Sequence, residues 1–306
     1  MGERASGLAW IEHRIPNPAA AGSNPASPAS RRVSPTPGRL PPRERFLRLP
    51  PARARREWSR YEGTPQRTLW LALRRRFLAR ALEGLPPRPP TLLEVGPGPG
   101  RFSDLLLATG RPVISLERSP AMIQEALRHR GSSGGPHWVL GDGLRLPVRP
   151  GSLAGLVALG NVLGFSGDRA GLLLREWKES LAPGGIWVIE TSVTGTLPAE
   201  GSARDAHADL RQPGREPSYG PPSALLRFPR AELDRWFDLL GWELLEATPV
   251  APGAGGSPER ARQALAQAGG RWETLLEKEE RAGRQREAQI LPGPWLFRGR
   301  ALARGE

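Results

Sequence analysis

The sequence of 306 residues has no cysteine, four histidines (His13, His129, His137 and His207) and only two lysines, Lys178 and Lys278. Without cysteine there can be no disulfide, no thiolate metal site and no cysteine nucleophile. No two histidines stand at a metal-ligand spacing, so no metal centre is expected. No apolar run approaches the ~20 residues of a membrane helix, and the N-terminus lacks the apolar stretch of a signal peptide. The expectation is a cytoplasmic protein without a membrane partner. Net charge is +13, but its distribution is uneven: residues 1–68 hold thirteen Arg and five Glu, whereas the remaining 238 hold 31 basic and 26 acidic residues. Arginine in place of lysine, with abundant Ala, Gly and Pro, is what GC-rich coding produces, so the surplus is poor evidence for an anionic partner.

What is present falls into two parts. Residues 1–55 are rich in Pro, Ala, Ser, Arg and Gly, without apolar periodicity, and read as a disordered or non-native extension. Within it, Gly22-Ser23-Asn24-Pro25 matches one frame of a transfer-RNA gene's T-arm. Two readings therefore stay open for about the first 30 residues: translation of an upstream transfer-RNA gene, or an ordinary tail. Residues 56–306 read as one folded domain. In its first helix Leu69, Leu71, Leu73, Phe77, Leu78 and Leu82 fall near one face and the arginines opposite. Strands are predicted at 91–95, 112–117, 137–142, 152–163 and 184–191, alternating with helices at 101–110, 119–130 and 170–181. Such alternation predicts a parallel sheet covered on both faces. A helix and strand follow over 228–250, charged helices over 257–290 and a last strand over 294–303, with insertions at 192–227 and 257–290.

In open α/β sheets ligands bind beyond the carboxyl ends of the strands. There the first strand closes with Glu94 and runs into Gly96-Pro97-Gly98-Pro99-Gly100, glycines that let a backbone approach a ligand at a helix N-terminus. A dinucleotide fingerprint would need glycine where Arg101 stands, which counts against an oxidoreductase. Glu117 closes the second strand, placed to accept ribose hydroxyls, and Asp142 follows the third, placed to receive an exocyclic adenine amine. Taken singly each acid could be a turn or cap residue; together they describe an adenosine site with a further polar group at Glu94.

These residues resemble the class I S-adenosylmethionine-dependent methyltransferases of small-molecule type, in the motifs LLEVGPGPGRFS, SPAM and LAPGG. The resemblance covers residues 58–191 well and 228–250 loosely. It implies a Rossmann-like, seven-stranded, mostly parallel sheet with helices on both faces and an antiparallel C-terminal strand. It also implies S-adenosyl-L-methionine as cofactor. Glu94 would hold the methionine amine through the loop or water, with Gly96, Gly98 and Gly100 lining the cofactor. Glu117 would take the ribose, Met122 pack near the adenine, and Asp142 with the Gly143 and Leu144 backbone read the adenine edge. Asn161 would lie beside the methionyl group and the acceptor, with Glu190 and Thr191 facing the same cleft. Trp58, Tyr61, Thr64 and Pro65 resemble the family's lid, although Arg67 stands where glycine is common. Ala154 stands where the family's fourth strand usually carries an acid.

The cofactor would supply the reactive methyl, and the protein would place and desolvate an acceptor. Should the acceptor need a general base, the candidates are Glu190, His207 and Tyr219. An RNA acceptor is disfavoured but stays open: Gly160-Asn161-Val162-Leu163 is not the Asn/Asp-Pro-Pro-aromatic turn used on base amines, and there is no cysteine for pyrimidine C5. The clusters Arg53-Arg55-Arg56 and Arg74-Arg75-Arg76 read first as solvated helix faces. A small-molecule acceptor is the first expectation; the alternatives are an RNA methyltransferase and a non-catalytic S-adenosylmethionine-binding module. Trp236 and Trp242 read as core, and Phe165, Tyr219 and Trp272 as pocket-lining candidates.

Overall fold

In the computed structural model the described residues are 47–130, 134–194, 227–250, 253, 257–286 and 293–302, all within one compact unit, Leu40–Glu306. The strands are β1 (Thr91–Val95), β2 (Val113–Glu117), β3 (His137–Leu140), β4 (Leu153–Ala158), β5 (Leu181–Thr194), β6 (Phe228–Pro229), β7 (Trp242–Pro249) and β8 (Gly293–Ala301). They form one sheet in the order β3-β2-β1-β4-β5-β8-β7, with the two-residue β6 paired to β5. Pairing is parallel from β3 through β5, and β8 runs antiparallel between β5 and β7. This is the Rossmann-like arrangement expected from the sequence. The chain steps outward from β1 to β3 and then returns to β4 on the other side of β1. The carboxyl ends of β1 and β4 therefore flank the switch point where such sheets bind ligands.

The helices among the described residues are α1 (Pro51–Trp58), α2 (Pro65–Leu82), α3 (Ser103–Leu107), α4 (Pro120–Arg130), α5 (Val162–Ser166), α6 (Ala170–Ser180), α7 (Arg230–Leu239), α8 (Pro258–Gln267) and α9 (Trp272–Arg286). One face of the sheet packs Leu173, Leu174 and Trp177 of α6 and Leu233, Trp236 and Phe237 of α7. The other packs Leu69, Leu73, Phe77 and Leu78 of α2, with Leu275 and Leu276 of α9. Trp236 and Trp242 are buried, as expected. Trp187 meets Phe237 at 4.7 Å and Trp242 at 4.9 Å between ring centroids. Gly299 lies so close to Trp187 and the Glu243 carbonyl that no side chain fits there.

The structure corrects the reading of α2. Leu71 and Leu82 are only half-buried, and the arginine row is not a solvated face: Arg74 is buried at 5% exposure. Arg76 and Arg80 both bond Glu280, Arg76 also bonds Glu273 and Arg80 also Glu246, so this row fastens α2 to α9 and β7. The fourth strand stops at Ala158 rather than continuing to 163. Gly160 (φ +82°) and Asn161 (φ +68°) turn the chain into α5. Helix α1 starts at Pro51, before the position where the sequence changes character, with proline at the first helical position.

Candidate functional site

The loop after β1 is held to the ends of its neighbours by its own backbone. The Gly96 amide donates to the Leu116 carbonyl (2.9 Å) and the Gly98 amide to Glu117 Oε2 (2.9 Å). Gly96, Gly98 and Gly100 all have positive φ, at 64°, 56° and 79°, the region that L side chains resist. The reasons for glycine differ. A Cβ at Gly96 would lie 2.8 Å from Val162 Cγ2, and one at Gly100 3.2 Å from Ser103 Oγ and the Trp138 ring. A Cβ at Gly98 meets nothing within 4 Å. Gly98 thus presents bare backbone to open space at the switch point, a cradle that a ligand could enter.

The three acids stand at or just past the carboxyl ends of β1, β2 and β3, and Glu117 bonds the loop directly. Glu94 is buried, and its Oε2 accepts from Ser103 Oγ (2.6 Å) and Ser115 Oγ (2.9 Å). Burial pushes its carboxyl above the ordinary value, against the pull of the two serines. Glu117 is buried as well. Its Oε1 accepts from the Arg118 and Ser119 amides (2.8 and 2.9 Å), and burial raises its carboxyl despite these amides and that of Gly98. Two amides on Oε1 and one on Oε2 leave its remaining acceptor capacity chiefly on Oε2. Asp142 accepts from the Leu144 amide through Oδ1 (3.1 Å), and its Oδ2 lies 3.7 Å from Arg118 Nη2. Gly143 is wedged between strand and helix: a Cβ there would approach Val95 to 2.9 Å and Leu173 to 3.1 Å, and its carbonyl accepts from Trp177 Nε1. Met122 is buried in the first turns of α4, its amide bonded to Ser119.

At the end of β4, Asn161 Oδ1 accepts from Thr191 Oγ1 (3.0 Å) and the Ser192 amide (3.1 Å), while Nδ2 donates to Ser192 Oγ (3.2 Å). The Gly160 amide donates to Glu190 Oε2 at 3.1 Å. Because Val162 packs on Gly96, this turn adjoins the loop after β1. Glu190 does not fit the general base suggested above. Its carboxylate is gripped at both oxygens by Arg74, Nε to Oε2 at 2.8 Å and Nη2 to Oε1 at 2.6 Å. Burial alone would raise its carboxyl, but Arg74 overrides this and holds it below the ordinary value, so it is a poor proton acceptor. The other candidates, His207 and Tyr219, lie outside the described residues.

At Arg101, which follows the loop, the guanidinium lies 4.3 Å from the Trp58 ring centroid, and that ring stacks on His129 at 3.7 Å. Thr64 caps α2 by accepting from the backbone amide of Arg67. Phe165 is exposed on α5, whereas Trp272 packs into the cluster beneath α2. Sequence reasoning missed Ser103 and Ser115 on Glu94 and Arg74 on Glu190. The serines in RFSD and PVISLE were visible, but nothing local showed them turning toward Glu94.

Residues 93–189, from β1 through β5, match the family model described as a methyltransferase domain. The chain thus carries an S-adenosylmethionine-dependent methyltransferase domain over these residues. No curated protein matches it in sequence. Among solved structures it is similar to Haemonchus contortus phosphoethanolamine N-methyltransferase 2 in complex with S-adenosyl-L-methionine. That match has 14% identity and TM-score 0.54, over 87% of this chain and 61% of that one. It is also similar to the geranyl diphosphate C-methyltransferase of Streptomyces coelicolor A3(2), solved with Mg2+, geranyl diphosphate and S-adenosyl-L-homocysteine, at 14% identity and TM-score 0.51 over 76% and 79% of the chains. A third similarity, at 18% identity and TM-score 0.50 over 86% and 99%, is to the complex of the Haloferax volcanii Trm112 methyltransferase activator with a methyltransferase. At these identities the likeness concerns the fold.

Proposed function

We propose that this enzyme methylates a small-molecule acceptor, with the cofactor held by Glu94, Gly96, Gly98, Gly100, Glu117, Met122, Asp142, Gly143, Leu144 and Asn161. The observation that carries the site is the open face of Gly98, bonded to Glu117, with Asp142 just past the end of the next strand. Bare backbone, a ribose acceptor and an adenine acceptor stand at the carboxyl ends of three adjacent strands, as an adenosine requires. When bound, S-adenosylmethionine supplies a sulfonium methyl open to in-line displacement. The chain's own work is to orient the acceptor beside Asn161 and to exclude water. The neutral polar surface of Asn161, Thr191 and Ser192, with Glu190 neutralised by Arg74, suits an acceptor that arrives already in its nucleophilic form. A small molecule is supported further by Arg74, Arg75, Arg76 and Arg80 of α2, which are engaged with Asp104, Glu190, Glu246, Glu273 and Glu280 rather than displayed to a phosphate backbone. The test is incubation of the full chain with methyl-labelled S-adenosylmethionine and a panel of small amines, carboxylates, thiols and phenols, beside bulk RNA. Label should enter a small molecule; label entering RNA alone would overturn the reading.

A further inference from the structure

Gly160 and Asn161 stand in succession at positive φ, a conformation that glycine and, among the other residues, asparagine adopt most readily. Three bonds from β5 hold the Asn161 side chain, at Thr191 Oγ1, the Ser192 amide and Ser192 Oγ. The turn's backbone is held on its helix side by the Asn161 carbonyl, which accepts from the Phe165 amide (3.1 Å), and on its strand side by the bond from the Gly160 amide to Glu190 Oε2. That bond depends on a carboxylate buried at 3% exposure, a place where a lone charge would be given up by protonation. Arg74, 116 residues away in sequence and itself 5% exposed, bonds both carboxylate oxygens and also donates Nη1 to the Trp70 carbonyl. We propose that Arg74 is a positioning residue of the methyl-transfer site: through the Glu190 carboxylate it fixes the Gly160–Asn161 turn, and with it the Asn161 side chain. This rests on Asn161 lying at the methyl-transfer end of the cleft, as proposed above. The chain of contacts joins helix α2, next to the lid-like segment, to the floor of the acceptor site.

Among the described residues, the groups facing Glu190 are few. Arg74 approaches from α2, the Arg60 cation contributes from the short turn Ser59–Tyr61, and β8 places Leu296 opposite it. Arg74 is therefore the group that keeps Glu190 ionised near neutrality, and its removal should let Glu190 titrate.

Asn161 is one of only three asparagines, with Asn17 and Asn24. Full-length protein labelled with nitrogen-15 at asparagine alone therefore reports on the turn directly, its signals assigned by their loss in Asn161→Asp. S-adenosylhomocysteine is the probe ligand, and its binding is measured separately by calorimetry. In the wild type the Asn161 signals should move on adding the probe and stay constant between pH 5 and pH 8. In Arg74→Met they should be displaced and acquire a titration step within that window, with Asn17 and Asn24 unchanged, and Arg74→Lys should restore the constancy. A purely structural Arg74 would lower the melting temperature without conferring pH dependence on Asn161. Signals in Arg74→Met that overlay the wild type at every pH would overturn the proposal. Should Arg74→Met not fold, Arg74→Met/Glu190→Gln removes both charges together. Displaced, pH-independent Asn161 signals then support the proposal and wild-type positions overturn it. Probe binding that leaves Asn161 unmoved in the wild type would overturn its place beside the methyl, and with it the role given to Arg74. Absence of probe binding would instead strike the cofactor site, while the pH series would still decide whether Arg74 governs the turn.

Discussion

The Gly98 amide donates to the Glu117 carboxylate across 2.9 Å, joining the loop after β1 to the end of β2. The same carboxylate accepts from the amides of Arg118 and Ser119. It therefore shapes the loop as well as offering an acceptor to a ribose. Hydrogen bonds to a charged group contribute about 1.5–3 kcal/mol each. Glu117→Gln replaces one acceptor oxygen by a donor that must face amide donors. It should weaken S-adenosylhomocysteine binding by about ten- to a hundredfold and lower the melting temperature as well, measured by calorimetry and thermal unfolding. Unaltered binding would remove Glu117 from the site.

Gly96 makes a different demand. At φ 64°, with Val162 Cγ2 only 2.8 Å from where a Cβ would stand, an added methyl meets both backbone strain and a packed neighbour. Left-handed backbone costs an L residue about 1–2 kcal/mol and overpacking typically about 1–3 kcal/mol. Gly96→Ala should lose about 2–5 kcal/mol in denaturant unfolding, and Gly96→Ala/Val162→Ala should recover part of that loss. No recovery would show that backbone strain alone sets the cost.

Glu232 lies in the first turn of α7, and burial pushes its carboxyl up to about 7, with Arg235 pulling the other way. An acid whose folded value lies above its ordinary 4.5 binds more protons folded than unfolded. Its contribution to stability therefore falls as pH rises from about 4.5 to about 7 and is level above that. Glu232→Gln cannot titrate, so its melting temperature should gain on the wild type across that window and hold a constant lead at higher pH. A difference that does not vary with pH would contradict the burial of this group.

Much of the fold was legible because its signals are local. TLLEV coincides with β1, and SPAMIQEALRHR carries its own helix-starting signals. The glycine loop and the acids at the ends of β1, β2 and β3 declared themselves by position, and the structure shows one of them, Glu117, bonded to the loop at Gly98. What escaped were partnerships between distant segments. Arg74 sits in an arginine triplet that reads as a solvated face, since periodicity records where apolar residues fall and not which arginine finds a buried carboxylate. Glu190, read alone at the end of a strand, looked available as a base; only the fold shows that its charge is already matched. The turn at Gly160–Asn161 escaped for the related reason that an apolar run continues through it, although its conformation ends the strand.

The central claim is that the glycine loop with Glu117 and Asp142 forms an S-adenosylmethionine site. Titration calorimetry of the full chain with S-adenosylhomocysteine and with NAD, in the wild type, Asp142→Ala and Gly98→Arg, tests it most directly. The account predicts 1:1 binding of S-adenosylhomocysteine and none of NAD. Asp142→Ala should lose about ten- to a hundredfold in affinity with its hydrogen bond, and Gly98→Arg, whose side chain fills the open cradle, should not bind measurably. Equal affinity for S-adenosylhomocysteine in all three proteins, or binding of NAD in its place, would contradict the account.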